Sequence, residues 1–362
     1  MKKKTVLIIG FGIDENRYEA VSKNTIKHKK ILEDIGYKVL IYNIGYKNPY
    51  FNTGNSFITS ILKRNDILNN LKLFIKKHNV THILDVFVLP LSSQIFTLPL
   101  KKDLPNITFI KEIHNDAGYS LNLHPETLIR IIANSEYSLK SVLNNFDKFL
   151  TKNLFLSKKR NIKYIPTYIN IYKNPKTKID NTKFNICYLG HPLKKKGIFE
   201  FLDLFKIIPN KFKNKIVFNF SFSNVGPREQ VVNQFKKIAD KNKIKINFYN
   251  EVKPSEFYRK NDIYILPIHD HFGAVSTPNT ILEAMEAGCL VITNKILSLE
   301  GMFENDEVIY LDNYHASNIL SKLVTVINNI KLEQKRIIKA RKLIEEKHSI
   351  TNIKKLIKNI YE

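Results

Sequence analysis

The chain of 362 residues has only two cysteines, no tryptophan, and 33 acidic residues against 58 basic ones. A disulfide framework or a thiolate metal cluster needs several cysteines at set spacings. Cys187 and Cys289 stand alone, each near an apolar run, which argues against both kinds of site. The same shortage of cysteine indicates a reducing, cytoplasmic compartment.

Long apolar runs are also missing, because none reaches the ~18 residues that a helix needs to cross a bilayer. The first apolar run, from Thr5 to Ile13, follows three lysines as a signal peptide would, but it stops at Asp14 without a small-residue cleavage site. We therefore interpret it as a first β-strand. The sequence predicts a protein that does not span a membrane.

The formal net charge is +25, and residues 151 to 250 carry 22 Lys and Arg against 5 Asp and Glu. A surface of one sign attracts phosphate on a nucleotide, on anionic lipid or on nucleic acid. Compositional drift is an alternative explanation, because Lys, Ile and Asn are over-used along the whole chain. No helix-turn-helix, zinc-finger or ribonucleoprotein pattern is present, so we do not expect nucleic acid as the partner.

Apolar strand patterns alternate with helical patterns in both halves of the chain, which predicts mostly parallel sheets. The length suits two domains of roughly 170 residues. A polar, basic stretch at 170–182, broken by Pro175, is typical of a linker. We therefore expect an α/β protein with two Rossmann-like domains facing across a cleft. They would comprise residues 1–170 and 183–345, and residues 346–362 would form a helix that can return to the first domain.

One segment after an apolar strand is the most informative. Thr277 can cap a helix, Pro278 suits the first helical position, and Gly288 suits the left-handed residue that follows the helix. The helix would start at the carboxyl end of a parallel strand, where its free N–H groups suit a diphosphate.

Three polar residues would share one face of this helix: Asn279, Thr280 and Glu283. A carboxylate at Glu283 could accept hydrogen bonds from both hydroxyls of a ribose. The alternative is an acidic residue that is favoured in the first half of a helix merely by the helix dipole.

This segment resembles the donor-binding signature of glycosyltransferase family 4, a group of retaining enzymes with the GT-B fold. The stretch from Gly190 to Gly197, which reads Gly-His-Pro-Leu-Lys-Lys-Lys-Gly, resembles the loop that opens their donor domain. The resemblance implies that Glu283 binds the donor ribose and that Lys196 neutralises the donor diphosphate. His191 occupies a second basic position, where the family usually has Arg.

In the first half, Lys111-Glu-Ile-His-Asn-Asp116 resembles the segment that carries the family's cleft histidine, so His114 is expected to contact the transferred sugar. The alternative is a loop histidine without a role. A departure concerns the family's second glutamate, because the matching position holds Val275. Asp270 and His271 are the nearest polar candidates for holding the sugar. The departures at Val275 and His191 also leave open a degenerate transferase that only binds.

Gly10 and Gly12 lie in the turn after the first strand, where small residues let a backbone approach a ligand. The pair lacks the third glycine of a dinucleotide fingerprint, and Asp14 and Glu15 would repel a pyrophosphate. We therefore expect a donor or acceptor sugar there rather than NAD.

The trio His269, Asp270 and His271 does not predict a metal site, because adjacent residues of one loop rarely converge on one ion. The expected site has no metal, and the resemblance implies none. No cofactor is expected besides the nucleotide sugar, which would be UDP- or GDP-linked.

These patterns together predict a retaining, hexosyltransferase-like enzyme with His114 and Lys196 as catalytic residues. Its partners would be a nucleotide sugar and a glycan or lipid-linked acceptor of envelope or surface polysaccharide synthesis. We expect it in the cytoplasm, with peripheral attachment to an anionic membrane surface as a further option. A GT-B epimerase and a non-catalytic basic binding protein are the alternatives.

Overall fold

The computed structural model describes residues 3–11, 13, 20–44, 63–87, 93–113, 130–133, 162–172, 179, 182–224, 227–269, 279–296, 299 and 302–362. The chain divides into two units, one comprising Met1–Thr167 and Thr351–Glu362 and the other Tyr168–Ile350. Each unit contains a sheet of six parallel strands. The predicted α/β class with two parallel-sheet domains is confirmed.

The first unit contains six strands in the order β2-β1-β3-β4-β5-β6. They are β1 (Thr5–Gly10), β2 (Lys38–Asn43), β3 (Val80–Asp85), β4 (Thr108–Ile113), β5 (Arg130–Ala133) and β6 (Ile162–Tyr164). The described helices are α1 (Ala20–Asp34), α2 (Arg64–Lys77) and α3 (Leu98–Asp103), the last preceded by a π-helical turn at Ser93–Thr97.

The first helix ends as the sequence predicts, because Gly36 adopts the left-handed conformation with φ of 103° and lets the chain turn into β2. All six residues of β1 are buried, as expected for a central strand with helices on both faces. A buried ion pair joins the ends of two neighbouring strands, with 2.8 Å between Lys111 Nζ and Asp85 Oδ1.

The second unit contains β7 (Phe184–Gly190), β8 (Ile216–Phe222), β9 (Lys245–Tyr249), β10 (Ile263–Leu266), β11 (Leu290–Asn294) and β12 (Ile309–Leu311), in the order β12-β11-β10-β7-β8-β9. Its helices are α4 (Glu200–Ile207), α5 (Asn210–Lys213), α6 (Arg228–Asn242), α7 (Pro254–Arg259), α8 (Asn279–Ala287), α9 (Ala316–Asn328) and α10 (Ile330–Lys347). The last helix, α11 (Ile350–Tyr361), starts at the boundary and contributes all but its first residue to the first unit.

Phenylalanine fills one face of the second sheet. Phe218 and Phe220, two residues apart on β8, lie on the same face of the sheet, and both contact Phe205 of α4. Phe235 of α6 packs edge-on against Phe220, with ring centroids 5.1 Å apart. Because the chain has no tryptophan, phenylalanine rings provide the large aromatic side chains of this core.

The segment after β6 is attached to the second unit. The Ile169 amide donates to the His348 carbonyl at 2.9 Å. The Tyr172 amide donates to Glu286 Oε1 at 2.8 Å, and Arg341 donates to the Tyr172 carbonyl at 2.7 Å. The change of unit therefore occurs between residues 167 and 168, just before the polar stretch that the sequence suggests as a linker.

Both cysteines are buried, and neither forms a disulfide. Among the helices in the described ranges, none is long and apolar enough to cross a membrane.

Candidate active site

The strand order places a topological switch point between β7 and β10. From β7 the chain moves outward to β8 and β9, then crosses to β10 on the other side of β7. The connections after β7 and β10 therefore leave the sheet in opposite directions. Ligands of open α/β sheets bind at this point, outside the carboxyl ends of the strands.

A tight loop follows β7 and leads into a 3₁₀ turn at Lys194–Lys196. Gly197 ends the turn with φ of 71°, and a Cβ atom there would lie 1.8 Å from the carbonyl oxygen of Pro267. The His269 amide also donates to the Lys195 carbonyl at 3.1 Å. The loop after β7 is thus packed directly against the chain that leaves β10, and only glycine fits at the contact.

The 3₁₀ turn places three consecutive lysines on the loop at the switch point. Lys194 and Lys195 are exposed, whereas Lys196 is half-buried. Their combined charge suits a phosphate group, and partial burial strengthens the interaction that Lys196 can make.

His191 is held by the end of the neighbouring strand. Its Nδ1 lies within hydrogen-bond distance of Ser223 Oγ, and its carbonyl accepts a hydrogen bond of 2.8 Å from the Tyr188 hydroxyl. Burial raises the pKa of Tyr188, so this phenol remains a donor. Sequence reasoning missed Ser223, because its proximity to His191 depends on the pairing of β7 with β8.

The helix after β10 is α8, which begins at Asn279 and ends at Ala287. Gly288 follows with φ of 87°, and the Cys289 amide donates back to the Ala284 carbonyl at 2.9 Å. This confirms the left-handed residue predicted at Gly288. The residues predicted at the start of the helix, Thr277 and Pro278, lie outside the described residues.

Glu283 lies on α8 with Asn279 and Thr280, and all three are half-buried. Two fully buried tyrosines, Tyr258 and Tyr264, stand next to this face with their ring centroids 5.4 Å apart. Burial raises the pKa of both phenols, and the negative charge of Glu283 raises it further. The Tyr258 and Tyr264 phenols are therefore neutral where they lie beside the Glu283 carboxylate. The sequence offers no sign of this arrangement, because both tyrosines also fit ordinary core positions.

His269 is engaged by two neighbours. Its Nε2 lies 2.6 Å from Glu200 Oε1, and its ring stacks on that of Tyr314 with centroids 4.0 Å apart. Within the part of the chain that the structure describes, no group of three or more His, Cys, Asp or Glu could hold a metal ion.

The structure brings part of the expected site together. His191 and Lys196 lie on the loop after β7, and Asn279, Thr280 and Glu283 lie on the helix after β10. Four residues of the expected site lie outside the described residues: Gly12, His114, Asp270 and His271. Val275, the departure from the family's second glutamate, also lies outside them.

Gly10 lies at the carboxyl end of β1 in the first unit. A Cβ atom there would lie 2.7 Å from Val86 Cγ2 and 3.0 Å from Ile13 Cδ1. Packing within the unit is therefore enough to account for a glycine at this position.

Residues 172–343 match the family described as "Glycosyl transferases group 1". The matched range nearly coincides with the second unit, which spans Tyr168–Ile350. The second unit belongs to the group 1 glycosyltransferases. The resemblance to glycosyltransferase family 4 is thereby confirmed, and the donor-type motifs lie within the matched range.

Solved structures resemble this chain over both units. A glycosyltransferase from Rickettsia africae is 16% identical, with 100% of this chain and 98% of that chain covered and a TM-score of 0.73. A sucrose-phosphate synthase from Thermosynechococcus elongatus is 12% identical, with 99% and 98% covered and a TM-score of 0.74. HepE of Anabaena, in complex with UDP and glucose, is 12% identical, with 99% of both chains covered and a TM-score of 0.67. At these identities the similarity establishes the fold, which is the two-domain GT-B fold expected from the sequence. A search of curated protein sequences finds no match.

Proposed function

We propose that the enzyme transfers a sugar, with retention of anomeric configuration, from a UDP- or GDP-linked donor to a glycan or lipid-linked acceptor. The observation that carries this proposal is the pairing at one switch point of a lysine-rich turn with a helix start and a half-buried carboxylate. These parts match the diphosphate and the ribose of a nucleotide sugar. HepE in complex with UDP-glucose is a structural neighbour and supports a donor of this class.

Two residues would hold different parts of the donor. Lys196 would neutralise the diphosphate together with the N-terminus of α8, because a helix start carries a partial positive charge. Glu283 would accept hydrogen bonds from the ribose hydroxyls, with Asn279 and Thr280 beside it. His191, oriented by Ser223, would donate to the same diphosphate.

The proposed reaction breaks the bond between the anomeric carbon and the diphosphate oxygen, and the bonding electrons leave with the nucleotide diphosphate. An acceptor hydroxyl oxygen forms the new bond on the same face of the sugar, and its proton passes to the departing phosphate oxygen. Lys196 would stabilise the charge that grows on the leaving group. His114, Asp270 and His271 are proposed to contact the transferred sugar, and Gly10 and Gly12 to border the sugar site.

The biological setting is part of the proposal. WaaB, a lipopolysaccharide outer core galactosyltransferase, shares the fold over 99% of both chains with a TM-score of 0.71 and 11% identity. TarM, in a mutant form, is bound to UDP and α-GlcNAc-glycerol in another neighbour. We therefore infer a role in envelope or surface polysaccharide synthesis, at the cytoplasmic side of an anionic membrane.

A screen of UDP- and GDP-sugars by thermal shift tests the donor class, because a ligand that binds only the folded state stabilises it by RT ln(1 + [L]/Kd). At 100 times Kd the gain is about 2.7 kcal/mol. The best donor is then incubated with candidate acceptors, and NMR of the product gives the anomeric configuration.

Each outcome of this screen has one interpretation. A product with the configuration of the donor supports the proposal. Release of nucleotide without a glycosylated product would favour the epimerase, and binding without turnover would favour a degenerate transferase. No stabilisation by any nucleotide sugar would overturn the proposal.

A further inference from the structure

A row of lysines crosses the amino edge of the second sheet, at the end of the strands opposite to the switch point. Phe184 pairs with Ile216, so Lys183 and Lys215 occupy matching positions just before β7 and β8. Val217 pairs with Lys245, so Lys243, which follows the last residue of α6, lies two residues before β9 at the same edge. The amide that follows Lys183 donates to the Lys215 carbonyl at 2.7 Å. Neighbouring strands lie about 4.8 Å apart, so three lysines follow one another along this edge. We call these three residues the lysine row.

Further lysines surround the lysine row: Lys211 and Lys213 on α5, Lys241 at the end of α6, and Lys245 at the start of β9. Among the residues that the structure describes, none of these seven lysines forms an ion pair. Among the described residues, two acidic ones lie beside the amino ends of β7, β8 and β9. Asp262 is buried and accepts a hydrogen bond from the Asn185 amide, and Asp240 is exposed. Three further acidic residues, Glu304, Asp306 and Glu307, precede β12 on the other side of the sheet.

The local structure does not favour lysine at these positions. Lys183 and Lys215 are matched across neighbouring strands, where like charges opposite each other are destabilising. Lys243 also has φ of 59°, a left-handed conformation after α6 where glycine or asparagine is preferred. Lysines at positions that disfavour folding are explained if their charge has a function, such as binding a ligand.

Apolar surface adjoins the lysines. Ile207, the last residue of α4, is 42% exposed and lies shortly before α5 in the chain. The exposed side chains described on this edge include no aromatic ring, although single-stranded nucleic acid is usually bound through stacking on aromatic rings. Lysines combined with an exposed aliphatic side chain fit the interface of an anionic bilayer.

We propose that the amino edge of the second sheet binds an anionic lipid surface through the lysine row, with Ile207 entering the headgroup region. This proposal rests on the membrane association included in the proposed function, and it is independent of the donor chemistry. The surface lies at the opposite edge of the sheet from the candidate active site, so lipid binding leaves the donor residues of this unit uncovered.

The test is co-sedimentation of the full chain with phosphatidylcholine vesicles that do or do not contain phosphatidylglycerol. We compare the wild type with the variant Lys183→Gln/Lys215→Gln/Lys243→Gln. The matched control is Lys76→Gln/Lys77→Gln/Lys102→Gln, which removes the same charge from exposed positions on α2 and α3 of the first unit. Each lysine near an anionic surface contributes about fivefold to binding, so the row variant should bind roughly 100-fold more weakly. The control should stay close to the wild type.

A second variant separates binding from folding. Lys243→Gly places the preferred residue in the left-handed position, so it should unfold at a higher temperature and yet bind phosphatidylglycerol vesicles about fivefold more weakly. Cleavage of the donor in the absence of vesicles should be unchanged in the row variant, which keeps this test apart from that of the proposed function.

Three results would overturn the proposal: undiminished binding by the row variant, equal weakening of the row and control variants, or binding of an oligonucleotide in preference to the anionic vesicles.

Discussion

Replacement of Gly197 by alanine tests whether the loop after β7 is positioned by its contact with the end of β10. The new Cβ atom would lie 1.8 Å from the Pro267 carbonyl oxygen, against a floor of 3.0 Å for real Cβ contacts, so the loop or the strand end must move by more than 1 Å. The left-handed conformation adds a cost of about 1–2 kcal/mol for any residue with a Cβ atom. Overpacking of a close contact adds about 1–3 kcal/mol. We therefore expect Gly197→Ala to lower the free energy of unfolding by roughly 2–5 kcal/mol.

Gly36→Ala is the matched control, because Gly36 is also left-handed but has nothing within 4 Å of the added Cβ atom. It should lose only the conformational part, about 1–2 kcal/mol. Urea unfolding gives both values, and turnover is measured on the folded variants. A displacement of about 1 Å at a positioning group can cost on the order of 100-fold in rate, so Gly197→Ala should be strongly impaired in turnover and Gly36→Ala should not. Equal stability losses with wild-type turnover in both variants would refute the reasoning.

Three further predictions concern single side chains. Lys196→Ala should reduce turnover more than donor affinity in steady-state kinetics, because the lysine acts on charge that grows as the diphosphate leaves, whereas the exposed Lys195→Ala should have little effect. Burial raises the pKa of Glu286 against the opposing effects of its amide and guanidinium partners, so its carboxyl group stabilises the fold most below about pH 4.5 and less as the pH rises through the folded pKa. Urea unfolding across this range should show the wild type losing stability relative to Glu286→Gln as the pH rises. A wild type that gains stability relative to the variant as the pH rises would contradict this prediction. Tyr361→Ala should cost about 3–5 kcal/mol because the ring is fully buried, whereas Tyr361→Phe should be nearly neutral, since the hydroxyl has no hydrogen-bond partner within the described structure.

Much of the second unit could be predicted from local patterns. Apolar runs bounded by Gly and Pro predict its strands, and Gly288 predicts the end of α8, because these signals act within a few residues of the chain. Lys196 and Glu283 were singled out by the resemblance of two short motifs to those of glycosyltransferase family 4. Their convergence on one switch point follows from strand order, which local patterns do not contain.

Contacts between distant segments could not be predicted. The hydrogen bond of His191 with Ser223 depends on the pairing of two strands, and the placement of Tyr264 behind Glu283 depends on how α8 packs on the sheet. The lysine row is a similar case. Its members are separated by about thirty residues each in the sequence, and only the parallel register brings them together.

The most direct test of the central claim is the affinity for UDP and GDP of the wild type and of Glu283→Ala, measured by calorimetry. A charge-assisted hydrogen bond contributes about 1.5–3 kcal/mol, so loss of the carboxylate should weaken binding of the accepted nucleotide by roughly 10- to 150-fold. Glu286→Gln, on the same helix but turned into the core, is the control and should bind as the wild type does. The account predicts a selective loss in Glu283→Ala. Unchanged nucleotide affinity in that variant would contradict it, because the donor would then bind elsewhere.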